Sequence, residues 1–466
     1  MGYDLLIDGM RVNGSATLDV INPATGKVFA TCARADAHQV DQAVAAAKRA
    51  GSAWAGLHSI ERGAYLIRLA EGIERHASDM AHLLTREQGK PLAEATMEVQ
   101  GAAMLLRYYA SLDLPMTCIR ETESDRVYEQ RRPLGVVAAI APWNYPLMIT
   151  MSKIASALCV GNTVVAKPAP STPLTVLFFG GIAADVLPPG VLNIIVDAND
   201  LGQRLSSHPD VAKISFTGST GTGKRVMESA APTLKRLTLE LGGNDAAIIL
   251  DDMDVEDAAA KVFAAAMVNA GQVCVATKRI YAPRAMYDSL CEALGHLAVG
   301  VIVDDGLKQG TQMGPLQNTQ QYSRVLGLID DAAREGTVVA GGRALDREGY
   351  FVAPTIIRNL PDHARLVREE QFGPVVPVLA YDSIDEVLER VNDSEFGLAG
   401  TVWTADPERG IDVARRVDSG VVWVNKHLDL SFDLPFGGTK QSGIGRENGI
   451  EGLKELTQGK IINVAL

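Results

Sequence analysis

The chain has 466 residues, enough for two to four domains at roughly 100–200 residues each, and too many for a small binding module. Its 47% hydrophobic and 21% charged residues are the balance of an ordinary globular protein and exclude extended disorder or a fibrous repeat. A net charge of −12, with Lys and Arg nowhere gathered into a stripe, argues against a nucleic-acid partner, because phosphate neutralisation needs a basic surface.

The N-terminus, Met1-Gly2-Tyr3-Asp4, has no positive start before an apolar stretch, and Leu6 breaks the myristoylation pattern, so a cytoplasmic location is expected. Residues 36–109 carry apolar side chains at helical spacing, as in Val40, Ala43, Val44, Ala47 and Leu66, Leu69, Ala70, Ile73, and predict successive amphipathic helices. Residues 121–132 are charged and polar and suit a hairpin; the apolar run 134–141 then predicts a buried strand stopped by Pro142. The longest uncharged stretch, 133–152, is broken by Pro142, Asn144 and Pro146 where a membrane helix would be continuous, so no membrane partner is expected.

Strands at 163–166, 191–196, 212–216 and 246–250 alternate with helices at 173–186, 202–208 and 223–231. That alternation predicts a parallel sheet of right-handed crossovers, with a nucleotide at the carboxyl ends of its strands. A second alternation, with helices near 255–268 and 286–298 and strands near 375–380 and 421–424, predicts a second α/β domain. The cysteines at 32, 118, 159, 274 and 291 are odd in number and far apart, which indicates neither a disulfide framework nor a metal site.

Three segments carry chemistry. The first, Thr217-Gly218-Ser219-Thr220-Gly221-Thr222-Gly223-Lys224-Arg225, follows a strand and precedes a helix expected to begin near Val226. Glycines there let backbone amides approach phosphate oxygens. The spacing nearly matches the phosphate loop of nucleotide triphosphatases, but Arg225 stands where a magnesium-binding Ser or Thr is needed, so a triphosphatase is a second hypothesis with a defect. The second is Cys274, which lies beyond Gly271 and close to Lys278 and Arg279, a setting that suits a thiol at a turn with basic neighbours favouring thiolate. The third pairs Glu240, at the end of an apolar segment before Gly242-Gly243, with Asn144, braced between Pro142 and Pro146. A glutamate there suits a general base, and a rigid amide donor suits an oxyanion; each alone would equally suit a plain strand end or turn.

Taken together, Pro142-Trp143-Asn144-Tyr145-Pro146, Lys167-Pro168, Phe216-Thr217-Gly218-Ser219, Glu240-Leu241-Gly242-Gly243, Gly271-Gln272-Val273-Cys274, residues 369–374 (EEQFGP) and residues 435–443 (PFGGTKQSG) resemble, in order, the signatures of the NAD(P)-dependent aldehyde dehydrogenase superfamily. The resemblance implies an α/β fold. A Rossmann-type cofactor domain would comprise 1–113 and 133–241, a catalytic domain 242–440, and a small β oligomerisation arm 114–132 and 455–466. It implies Cys274 as nucleophile, Asn144 as oxyanion donor, Glu240 as general base and Lys153 as a proton-relay lysine. Cofactor contacts would come from Trp143, Lys167, Pro170, Phe216, Thr217, Gly218, Ser219, Gly223, Leu241, Glu370 and Phe372. A substrate funnel would be lined by Tyr145, Val273, Val275, His427, Leu428 and Phe436. No metal is implied.

Because Glu240 is present, the resemblance implies that water, not coenzyme A, takes the acyl group. Pro170 stands where NAD-preferring members often carry Glu, so NAD or NADP is expected, with strict NAD selectivity lost. The expected partners are a small aldehyde, aliphatic or aromatic, and further copies of the chain, as a dimer or dimer of dimers. Lys426, His427 or Arg107 would anchor a carboxylate if the substrate were a semialdehyde. A catalytically silent relative is the remaining alternative, opposed by the presence of Cys274, Glu240 and Asn144.

Overall fold

The computed structural model describes residues 2–466 and is built around two open sheets. The first has eight strands in the order Met10–Val12, Leu5–Ile7, Leu192–Ile194, Thr163–Lys167, Val136–Ile140, Val211–Thr217, Arg236–Glu240 and Gly443–Ile444. Its five inner strands run parallel and its edges are antiparallel. Val136–Ile140 and Thr163–Lys167 are buried at every residue, which is why they read as unbroken apolar runs: helices cover both faces.

Chain order creates the crevice. From Val136–Ile140 the chain adds strands outward on one side, then returns to place Val211–Thr217 on the other side of the same strand. That reversal is a topological switch point, where parallel sheets open at their carboxyl ends. Asn144 and Ser219 lie just beyond the two strands that flank it.

The second sheet has seven strands, ordered Thr337–Ala340, Thr355–Arg358, Val375–Tyr381, Arg279–Pro283, Ala246–Ile249, Ala399–Trp403 and Val421–Val424, all parallel except the first. Four helices, Ala37–Ala55, Ser59–Arg75, Ala77–Gln88 and Leu92–Ala110, fill the early helical region. The predicted stripe Val40, Ala43, Val44, Ala47 is buried on the first of them, whose start is fixed by a reciprocal cap between Asp36 and Gln39. A three-stranded antiparallel sheet joins Thr117–Glu121, Asp125–Pro133 and Thr457–Ala465, with Thr457 opposite Pro133 and Ala465 opposite Asp125.

Two local expectations change. The hairpin Ala16–Asn22 with Lys27–Arg34 was not signalled by the polar, mixed sequence there. The helix expected near Val226 instead runs Thr220–Ala230. Ser219 is extended and its hydroxyl accepts the Thr222 N–H at 3.3 Å, an N-cap that draws Gly221 and Gly223 into the first turn despite their weak helix propensity. Gly223 is there for packing, since a Cβ would lie 2.5 Å from Leu241 Cδ2. The segment is therefore a capped helix start and not a phosphate-wrapping loop, which removes the triphosphatase reading.

Candidate active site

Cys274 lies in the turn between the short helix-like segment Val268–Gly271 and the strand Arg279–Pro283. Asn269, Ala270 and Gly271 all have positive φ (49°, 54° and 71°), and a Cβ on Gly271 would meet the Gly373 carbonyl at 2.3 Å, so backbone contact fixes this approach. Lys278, fully buried, turns its ammonium back onto the carbonyls of Val273 (2.5 Å), Cys274 (3.0 Å) and Ala276 (3.3 Å). Its charge is spent holding the turn. Burial, reinforced by the carboxylates of Asp245, Glu370 and Glu240, pushes the Cys274 thiol up to about 12 against the opposing pull of Lys278. The shift runs opposite to the expectation that basic neighbours favour thiolate, because desolvation outweighs Lys278.

Asn144 is buried and its side-chain amide donates to the Gln272 carbonyl at 2.9 Å, which orients it toward the cysteine turn. Its own carbonyl accepts from Asn269 Nδ2 at 3.0 Å and Lys90 Nζ at 2.9 Å. Lys90 also pairs with Glu98 at 2.6 Å, both side chains having no exposed surface, and stands 3.7 Å from the Tyr145 ring centroid. The second Glu98 oxygen accepts the Leu147 and Met148 N–H groups at 3.0 and 3.1 Å, capping the helix Pro146–Cys159. Neither Lys90 nor Glu98 stood out in the sequence, because the backbone groups they hold, the Asn144 carbonyl and the Leu147 and Met148 N–H groups, lie some fifty residues away.

Glu240 ends the strand Arg236–Glu240, and both its carboxylate oxygens are buried without a hydrogen-bond partner. Desolvation, then repulsion from Glu447, holds its pKa well above the usual carboxylate range, outweighing the pull of Lys153 and Arg446. The Gly242-Gly243 turn that follows crowds the cysteine loop, since a Cβ on Gly243 would lie 2.7 Å from the Cys274 carbonyl oxygen. Lys153 does not touch Glu240 by hydrogen bond. Its ammonium binds Ser215 Oγ at 3.0 Å and Glu447 Oε1 at 2.5 Å, and Ser215 in turn reaches Glu447 at 2.9 Å. Glu447 and Ser215 are additions that spacing did not reveal.

The cofactor candidates divide into two groups. Near the cysteine, Trp143 packs edge-on against Phe372 with centroids 5.4 Å apart, and Phe372 holds a positive φ of 51°. Buried Glu370 accepts the Gly243 N–H at 3.0 Å and its pKa is raised, chiefly by desolvation. Farther along the sheet, Thr217 keeps a buried hydroxyl without a partner, Gly218 donates to the Glu240 carbonyl at 3.0 Å, and Ser219 caps the helix. Phe216 and Leu241 are buried beside them, the latter donating to the Ser442 carbonyl at 2.9 Å. Lys167 pairs with Asp197 at 2.6 Å, and Pro170 is partly exposed. A dinucleotide fits this crevice. The helix start at Thr220 offers its dipole to a diphosphate, a Cβ on Gly221 would point into open space, and Thr217 Oγ1 is an unused polar atom facing the same end.

The predicted funnel residues gather into one apolar cluster in which Val273, Val275 and Trp423 are buried and Tyr145, Leu428, Phe436 and Cys274 are partly exposed. Val275 is fully buried and so supports the wall without facing a substrate. None of the three cations offered as carboxylate anchors is a free charge in this structure. Arg107 is bidentate to Glu74 (2.8 and 2.7 Å) and Lys426 is paired with Asp429 at 2.5 Å. His427 is held neutral, its pKa lowered to about 4 by burial and then by the Lys278 charge.

A switch-point crevice leading to a partly exposed thiol, an amide donor and an unpaired glutamate defines a dinucleotide-dependent enzyme of the thiol-based oxidoreductase class. Residues 11–462 match the aldehyde dehydrogenase family, and the chain belongs to it. It is 38% identical to a betaine aldehyde dehydrogenase of Vibrio vulnificus (strain YJ016), over 96% of this chain and 94% of that protein. Among solved structures, an NAD+ complex of an aldehyde dehydrogenase from Bacillus cereus superposes with a TM-score of 0.97 at 38% identity, covering 100% of this chain and 97% of the other. An NADP-dependent enzyme from E. coli superposes equally well, with a TM-score of 0.97 at 35% identity over 100% and 98% of the two chains. The protein is an oxidoreductase that oxidises aldehydes with NAD or NADP.

Proposed function

We propose that Cys274, Asn144 and Glu240 divide the reaction between them, with hydrolysis as its second half. The observation that carries this reading is the buried Glu240 carboxylate, left without any partner near the thiol that would carry the acyl group. An unpaired buried carboxyl is costly to stability and is retained where a proton must be taken up.

The Cys274 thiol releases its proton to water in the crevice, and the sulfur adds to the aldehyde carbon. The oxyanion of the resulting thiohemiacetal is held by the Asn144 amide and the Cys274 N–H; before substrate arrives the Gln272 carbonyl accepts from that amide, and Lys90 holds the Asn144 backbone carbonyl. Bound NAD or NADP supplies the hydride acceptor that converts this adduct to a thioester. Glu240 then takes a proton from water as it adds to the thioester carbonyl, and collapse expels the Cys274 sulfur and releases the carboxylic acid. Lys153 is the proton-relay lysine of this reading; joined to Ser215 and Glu447, it acts on that carboxyl through its charge and not through a hydrogen bond. Trp143, Phe372 and Glu370 frame the nicotinamide end, and Lys167, Pro170, Thr217, Gly218 and Ser219 the adenosine and diphosphate end.

The funnel favours an uncharged aliphatic or aromatic aldehyde over a semialdehyde, because its lining is apolar and the three cations are engaged or neutral. The domain division follows the two sheets, residues 1–113 and 133–241 carrying cofactor and 242–440 the nucleophile. The arm, whose Thr117–Glu121 edge is exposed at every residue, invites pairing with another copy of the chain. Five free cysteines suit a reducing, cytoplasmic setting.

The test is Glu240→Gln supplied with NAD and an aldehyde panel. Intact-mass spectrometry is expected to show the acyl group retained on Cys274, and normal steady turnover would remove Glu240 from the role.

A further inference from the structure

Residue 170 is a proline, which can neither accept hydrogen bonds from ribose hydroxyls nor repel a 2′-phosphate, so the sequence leaves cofactor choice without a carboxylate. The structure supplies one from the next strand. Ala166 lies opposite Ile194, and the Ile195 N–H donates to the Ala166 carbonyl at 3.0 Å, so the chain leaving Leu192–Ile194 runs beside Lys167. Asp197 stands there, fully buried. Its Oδ2 accepts the Leu201 N–H at 2.9 Å, while its Oδ1 meets only the Lys167 ammonium, at 2.6 Å. A Cβ on Gly202 would come within 3.9 Å of Lys167 Cε, so the pair is closed in from that side as well.

We infer that Asp197, in place of residue 170, sets the cofactor preference of this chain, giving selectivity for NAD over NADP. The inference rests on the reading of Lys167 as the lysine at the adenosine ribose. An unpaired lysine at that place would attract a 2′-phosphate. Paired with Asp197, it presents no net positive charge, and the aspartate itself repels the phosphate dianion, an arrangement that discriminates by a like charge set against the wrong ligand. The ammonium remains free to donate its other protons to ribose hydroxyls.

The test is equilibrium binding of NAD and NADP to the full-length enzyme, followed by titration calorimetry. Wild type is expected to bind NAD more tightly than NADP by about tenfold or more. Asp197→Asn keeps the shape and the Leu201 contact and is expected to shift the ratio toward NADP by about tenfold or more. Pro170→Glu, on a partly exposed turn, is expected to change the ratio by less than about threefold, because the discriminating carboxylate is already present. An unchanged ratio in Asp197→Asn overturns the inference. So does a wild type that binds both equally and becomes NAD-selective on Pro170→Glu, a result that remains decisive if Asp197→Asn does not fold. Failure of wild type to bind either dinucleotide would instead overturn the assignment of the crevice itself.

Discussion

The cysteine turn and the three-stranded arm use charge in opposite ways. Around Cys274 the ionic groups are buried and each is committed: Lys278 to three carbonyls, Lys90 to Glu98 and the Asn144 carbonyl. On the arm, Arg126 with Glu121 and Arg120 with Asp125 pair at the surface, and the strands are held by backbone ladders. Inside, a charge fixes geometry because its partner cannot be replaced by water; outside, water competes for every pair. Glu240 is the exception that gives the comparison its meaning, a buried carboxyl with no partner at all.

The largest effect is expected at the sulfur. Cys274→Ala leaves the surrounding network untouched and should lower aldehyde oxidation by roughly 10⁴-fold or more, since no other group supplies the nucleophile. Glu240→Gln should slow turnover by about 10²–10⁴-fold, the range for one acid–base group, while still permitting the first hydride transfer as a burst of reduced cofactor. A burst followed by stalling separates this variant from Cys274→Ala, which should show none.

Lys90→Met sharpens the comparison between buried and exposed pairs. It strands the Glu98 carboxylate where nothing else neutralises it, a loss of about 3–5 kcal/mol. It also frees the Asn144 carbonyl, so activity should fall at temperatures where the variant is still folded. If denaturant unfolding showed the full loss but turnover per folded molecule were unchanged, Lys90 would be a stability element only. The double change Lys90→Met with Glu98→Leu should recover much of the stability and little of the turnover.

How much of this was visible beforehand depends on the range of the cause. Val136–Ile140 and Thr163–Lys167 were readable as unbroken apolar runs and the early helices by their apolar spacing, all of them local signals. Cys274, Glu240 and Asn144 were readable as residue types in a family-like setting, yet the direction of the thiol's shift was misread, because the turning of Lys278 onto carbonyls is a three-dimensional fact. The helix start at Thr220 was misplaced because one serine cap outweighed four residues of poor propensity. Glu98, Glu447 and Asp197 act on partners far away in sequence, and no spacing marks them.

The raised pKa of Glu240 gives the comparison a pH axis. Its folded-state pKa is elevated by desolvation first, so the base form grows as pH rises. The Cys274 thiol, pushed up to about 12, moves in the same direction. Turnover should therefore climb from pH 7 toward 9.5 at saturating aldehyde. In Glu240→Gln that climb should flatten for the residual turnover. A wild-type rate that is level across the range would mean the carboxyl is already ionised when substrate and cofactor are bound.

The smallest effect should come from Arg107, whose side chain is 40% exposed and pairs with Glu74 in a geometry as good as any in the interior, at 2.8 and 2.7 Å. Good geometry does not rescue a solvated pair, because both groups are nearly as well served by water and gain little from one another. Arg107→Ala should shift the melting temperature by no more than about 1 °C. It should also leave the KM for a semialdehyde equal to that of wild type, as expected of a cation already engaged at the surface by Glu74. A rise in that KM without a change for the uncharged aldehyde of equal length would place Arg107 at the substrate and reverse the reading of the funnel as apolar. The same substitution thus measures both how little an exposed pair stabilises this fold and whether the funnel recognises charge.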